Sequence, residues 1–93
     1  MSQWKFLDPP SVAVIVDRRV MNGEAFISVV SHDADDGAWQ FLSNLPMTEA
    51  DAALVSLQSV TQLDASVMEL ADLPLGWRAW RNEKTGEWQK TRG

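Results

Sequence analysis

The chain has 93 residues, 45% of them apolar and 23% charged, with a formal charge of −5. That is the length of one small domain, in which a single core buries about 60–65% of the unfolded surface, and neither wholesale disorder nor a second domain fits it. The absence of cysteine excludes a disulfide framework, a thiolate zinc site and thiol catalysis, and a single histidine excludes histidine-rich metal ligation.

Residues 1–10 read as an extended lead-in. Trp4 and Phe6 are apolar anchors, and Asp8-Pro9-Pro10 forbids helix. Trp4 is expected to pack on the domain surface. Val12–Val16 is an apolar, β-branched run without polar alternation, which predicts a strand covered on both faces. Asn22-Gly23 supplies the residues of a type I′ turn, so a hairpin back through Ala25–Val30 is expected. Ser31–Gly37 is a polar loop. Trp39–Ser43 follows as a strand with Trp39 and Phe41 on one face.

From Thr48 to Asp72 the pattern is ambiguous. Leu57, Val60, Val67 and Leu70 recur at helical spacing, and Thr48 with Asp51 can form a capping box. Ala53–Leu57 can equally pass as a short strand, while Asp64 is a natural N-cap for a helix ending before Pro74. Periodicity alone favours helix throughout. Trp77–Arg81 and Glu87–Lys90 predict a second hairpin; a three-residue loop with Gly86 left-handed would place Trp88 on the face of Trp80.

Chemistry narrows the function only by exclusion. Residues 1–72 hold eleven acids against three bases, and residues 73–93 five bases against two acids. An acidic body repels phosphate, which argues against nucleic acid. His32 lies beside Asp33, Asp35 and Asp36, with Ser31 or Ser43 as conceivable nucleophiles, but no nucleophile elbow or glycine-rich loop accompanies them. A calcium loop starting at Asp33 fails, because Gly37, Ala38 and Asn44 occupy its fifth, sixth and twelfth positions. No catalytic residue, metal or cofactor is expected. No apolar run reaches the ~20 residues of a membrane span, and MSQWKFLDPPS lacks the build of a signal peptide, so a cytoplasmic protein is expected. Five tryptophans in so short a chain serve either a core or a partner surface.

Three stretches carry a resemblance: Ile15–Val20 before a turn and strand, Asp36-Gly37-Ala38-Trp39-Gln40-Phe41-Leu42-Ser43, and Leu63–Leu70 leading through Leu73-Pro74-Leu75-Gly76 to Trp80-Arg81. In this order they resemble a family of small bacterial proteins of unknown function, marked by an S-G-W-[RQ]-F-[FL]-S core motif and grouped with predicted immunity proteins of polymorphic toxin systems. The likeness covers roughly residues 11–82. Gly37-Ala38 stands where Ser-Gly is usual, Asn44 replaces a glycine, Ala65 replaces a helix-opening proline, and the acidic run after the core motif is thinned. Trp39, Phe41 and Gly76 match the structural motif. The resemblance implies a strand near Ala53–Leu57 followed by short helices, and that reading is adopted here.

The expectation is therefore one α+β domain over residues 1–93, with its core in 11–90. It has a small, mostly antiparallel sheet of five to six strands, two hairpins, and one or two short helices between residues 58 and 73. The resemblance implies a non-enzymatic binding protein that occludes a protein partner such as a toxin domain. A housekeeping scaffold or accessory module without a toxin partner is the alternative. The acidic balance nominates His32, Asp33, Asp35, Asp36, Glu49 and Asp51 as the binding patch. Trp77, Arg78, Trp80, Arg81 and Trp88 form a secondary, basic-aromatic strip that could pair two copies, giving a monomer or weak homodimer.

Overall fold

In the computed structural model, which describes residues 4–93, the chain forms six strands. β1 spans Ala13–Asp17, β2 Val29–His32, β3 Trp39–Leu42, β4 Ala52–Ser56, β5 Trp77–Trp80 and β6 Gln89–Arg92. Two α-helices, α1 at Arg18–Met21 and α2 at Leu57–Leu63, and two 3₁₀ segments, Glu49–Asp51 and Ala65–Leu70, connect them. The strand order is β4-β1-β3-β2-β5-β6. An α+β domain is what the sequence implies. The sheet, however, is mixed rather than mostly antiparallel, because β1 runs parallel to β3, with Ile15 opposite Gln40 and Val16 opposite Phe41.

The expected hairpin at Asn22-Gly23 does not form, and its failure explains the parallel pair. Asp17 ends β1 and caps α1, accepting from the Arg19 N–H at 2.9 Å. Asn22 is then right-handed (φ −84°) and only Gly23 is left-handed (φ +82°), whereas a type I′ turn needs both positive. The Asn22 N–H donates to the Arg18 carbonyl and the Gly23 N–H to the Val20 carbonyl, so the pair stops a helix instead of turning a hairpin. β2 thus starts away from β1, and β3 slots between them.

The hairpins that do form are β2–β3, closed by residues 33–38, and β5–β6. In the second, Trp80 pairs with Gln89, which leaves an eight-residue connection over 81–88. Gly86 is not left-handed, so the three-residue loop is not formed and Trp88 precedes β6 rather than facing Trp80.

The adopted strand near Ala53–Leu57 is present as β4, antiparallel to β1. Ser56 ends it and caps α2, accepting from the Ser59 N–H at 3.1 Å. Asp64 caps the 3₁₀ segment at Ala65–Leu70 through the Ser66 N–H at 3.0 Å. These short helices lie over one sheet face. Leu57, Val60, Val67, Leu70 and Leu73 pack there with Val14, Val16, Val30, Phe41 and Ala79, all buried. The opposite face stays open: the row Leu54, Ile15, Gln40, Ser31, Arg78 and Thr91 runs across it in register, half-exposed or exposed throughout.

Trp39 stands at the centre of the covered face. It is 1% exposed, meets Phe6 edge-on at 5.1 Å, and donates from Nε1 to Asp8 Oδ1 at 3.1 Å. Trp4 and Phe6 therefore fold the lead-in onto the core, as the anchors imply. Trp39→Ala should cost about 3–5 kcal/mol, by lost transfer energy and an unfilled cavity. Urea unfolding of the purified variant checks this. A nearly unchanged midpoint would mean that the ring is peripheral.

Candidate functional site

The tight loop between β2 and β3 builds the most distinctive surface feature. The Asp33 N–H donates to the Ala38 carbonyl at 2.8 Å and the Gly37 N–H to the Asp33 carbonyl at 2.9 Å, which closes the loop on itself. The Asp33 carboxylate accepts from Gln40 Nε2 at 2.8 Å and from Ser31 Oγ at 3.3 Å. Asp36 Oδ1 accepts from the Ala38 N–H at 2.9 Å. Asp35 and Asp36 are exposed on this braced scaffold. A backbone closed in this way has little freedom of its own left to lose on binding.

The start of β5 lies alongside. Gly76, left-handed at φ +81°, donates its N–H to the His32 carbonyl at 2.7 Å, and a Cβ there would sit 3.6 Å from Ala34 Cβ. The left-handed backbone, rather than lack of room, is why glycine suits the position. Loop and strand together wall an open cleft of about 450 Å³, lined by His32, Asp33, Asp35, Asp36, Trp77 and Arg78 among others. Three acidic residues and one arginine thus line it.

The structure divides the rest of the nominated patch. His32 is not in the loop but in β2, half-buried, with its ring stacked on Trp39 at 3.9 Å. Its Nδ1–H donates to the Leu73 carbonyl at 2.7 Å, because a carbonyl can only accept. Ser31 points to the other face by strand alternation and is bonded to Asp33; Ser43 is bonded to Asp17. Neither hydroxyl meets the imidazole. Glu49 and Asp51 lie at the far end of the sheet, since they precede β4 where Ala52 pairs with Asp17. Asp51 is occupied locally. The Thr48 N–H, at 2.9 Å, is the main influence holding its carboxyl below the usual range, and Arg19 lies 3.8 Å away.

The basic-aromatic strip is also taken apart. Arg81 is 4% exposed: Nε donates to the Ile27 carbonyl at 2.9 Å, Nη1 to Ser66 Oγ at 2.9 Å, and Nη2 to Asp64 Oδ2 at 2.6 Å. Its guanidinium lies 4.1 Å from the Trp88 ring centre, so Trp88 lids it instead of facing a partner. Burial pushes the Asp64 carboxyl up, and hydrogen bonds from Ser66 and Arg81 outweigh that, leaving it lowered. Trp80 remains exposed on the open face, Trp77 is half-buried on the covered one, and Arg78 lines the cleft. No single strip exists to pair two copies.

One polar centre escapes sequence reasoning. The Asp17 side chain is fully buried; it accepts from Arg19 Nε at 3.0 Å, Arg19 Nη2 at 2.9 Å and Ser43 Oγ at 2.5 Å. The Arg19 hydrogen bond leads in lowering its pKa to about 2, against the upward push of burial. An acid ending an apolar strand two residues before an arginine was the available signal. All its acceptor sites are used within the fold.

Among the described residues, no three His, Asp or Glu side chains converge with metal-holding geometry, and no helix is long and apolar enough to cross a membrane. Comparison with known proteins gave no matching family model, no matching curated protein and no matching solved structure.

Two outcomes follow from these buried groups. Asp17 titrates at about 2 folded against 3.8 in the reference state, so its contribution to stability is present above pH 3.8 and is lost as pH falls toward 2. Denaturation midpoints measured across that window should fall steeply in the native protein and less steeply in Asp17→Asn. Arg81→Ala should cost about 3 kcal/mol, the low end for breaking a buried pair, because Asp64 keeps some access to water. Calorimetry of the variant measures it; a loss near zero would return Arg81 to the surface.

Proposed function

We propose that the protein is a non-enzymatic binding protein of the cytoplasm, similar to predicted toxin-immunity proteins, which acts by occluding a functional surface of a protein partner. The observation that carries this reading is the braced acidic loop, with Asp35 and Asp36 exposed at the rim of the cleft and Asp33 held beneath them. Inhibition by occlusion requires no reacting group. It needs a rigid patch whose field opposes that of the partner, and a partner acting on an anionic substrate presents a basic site. Such a patch lies at the β2–β3 end of the sheet, where Trp77 and Arg78 of β5 also line the cleft. Glu49 and Asp51, at the other end, take no part in this reading.

Co-expression with a toxin encoded beside the gene tests it. The wild-type protein should rescue growth, and a purified pair should associate more slowly as salt is raised. Asp35→Asn combined with Asp36→Asn removes the exposed charge and leaves the Asp33 braces in place. That variant should slow association by about tenfold, as expected for loss of steering charge. Full rescue with an unchanged association rate would remove the loop from contention.

A further inference from the structure

The two edges of the sheet differ in chemistry. β6 closes one side with Gln89, Lys90, Thr91 and Arg92, all exposed, and its two cations repel an added strand. β4 closes the other with Ala52-Ala53-Leu54-Val55-Ser56, which has no charge and no proline and keeps an unbroken register with β1. Its apolar residues fall on both faces: Ala53 and Val55 toward the helices, and Leu54, 73% exposed, on the open face beside Ile15. A strand suited to remaining at an edge is not built this way.

The ladder fixes which backbone groups point outward. The Leu57 N–H donates to the Val12 carbonyl at 2.8 Å, one step beyond the Ala13–Ser56 pair. Bonded pairs alternate in an antiparallel ladder, so Val55 and Ala53 turn their N–H and C=O groups to β1, while Ser56, Leu54 and Ala52 turn theirs away. The Ala52 N–H is used by the Glu49 carbonyl, and its own carbonyl accepts from Arg18 Nη2 at 3.3 Å. Leu54 has no partner for either backbone group among the described residues.

We propose that β4 pairs antiparallel with β4 of a second copy, about a two-fold axis at Leu54, joining two six-stranded sheets edge to edge. Each Leu54 then exchanges both backbone bonds with its counterpart. The Ser56 N–H of each copy meets the Ala52 carbonyl of the other, which keeps a second lone pair beside Arg18. On the open face the seam reads Ile15, Leu54, Leu54, Ile15; on the other, Val55 faces Ala53. Charge favours a second copy in this orientation. Glu49 and Asp51 flank the start of β4, and antiparallel pairing sets them beside the uncharged Leu57, Gln58 and Ser59 of the other copy. Parallel pairing would set Asp51 against Asp51. The contact is one short strand, so the dimer is weak and concentration-dependent. It lies at the β4 edge and leaves the cleft beside β5 free, so it stands or falls apart from the proposed function.

Sedimentation equilibrium up to about 1 mM, the range in which weak pairing is still populated, is read together with amide exchange of the full chain. The expected result is a rise from monomer to dimer mass, with the Leu54 amide gaining protection in step while the Ala53 and Val55 amides are protected throughout. Leu54→Lys opposes two charges across the axis and should stay monomeric at every concentration with an unchanged melt when dilute. Four outcomes overturn the proposal: monomer mass throughout, a dimer that persists in Leu54→Lys, a dimer in which the Leu54 amide exchanges freely, or protection that appears only when a different protein is added.

Discussion

The Asp17 carboxylate is the constraint on which the topology depends. A buried anion is tolerated only when its acceptor sites are filled, and here the Arg19 guanidinium, the Ser43 hydroxyl and the Arg19 N–H of α1 fill them. Each partner fixes a piece of chain. The backbone bond at Arg19 turns β1 into α1 and removes the option of a hairpin. The side-chain bond at Ser43 ties the end of β3 beside the end of β1, as parallel pairing of the two strands requires. Arg19 then reaches the Pro46 carbonyl and approaches Asp51, which draws the chain toward β4 on the other side of β1. One carboxylate thus organises three of the six strands.

A second polar clamp performs the same service across layers. Arg81 follows β5 and bonds to the Ile27 carbonyl ahead of β2, to Asp64 at the cap of the 3₁₀ segment, and to Ser66 within it. An apolar contact would hold these parts together without setting their angle. A planar guanidinium with fixed donors sets both. Trp88 closes over it, so the long β5–β6 connection is fastened at its far end even though its middle is exposed.

These two clamps take no charge from the tip of the acidic loop. Asp17, Asp51 and Asp64 each lie against an arginine, while Asp35 and Asp36, the latter bonded only to the Ala38 N–H of its own loop, line the cleft with no ion pair among the described residues. The stiffness of that loop is inherited from the fold. Asp33 braces it from Gln40 and Ser31, and Gly76 presses β5 against its base. Rigid scaffold beneath and unspent charge above is the arrangement that electrostatic recognition of a protein surface requires.

The sequence by itself determined the features that depend on neighbours along the chain. Alternation placed Trp39 and Phe41 on one buried face, Asp64 declared a helix start, and Trp77–Trp80 with the residues after Gly86 declared a hairpin, because capping and pleating are local effects. The β4 strand was legible only with the help of the resemblance, since its five residues satisfy helical and extended spacing alike. Tertiary structure decided the rest. Asn22-Gly23 serves a hairpin or a helix stop equally well, and the choice was made by a carboxylate whose partners lie up to 26 residues away. Arg81 looked like a surface cation, and its burial depended on Asp64, Ser66 and the Ile27 carbonyl converging from elements that no local pattern relates. The nominated acidic patch was split for the same reason: charge is countable along a sequence, but which end of a sheet it occupies depends on strand order, and strand order is settled by long-range pairing.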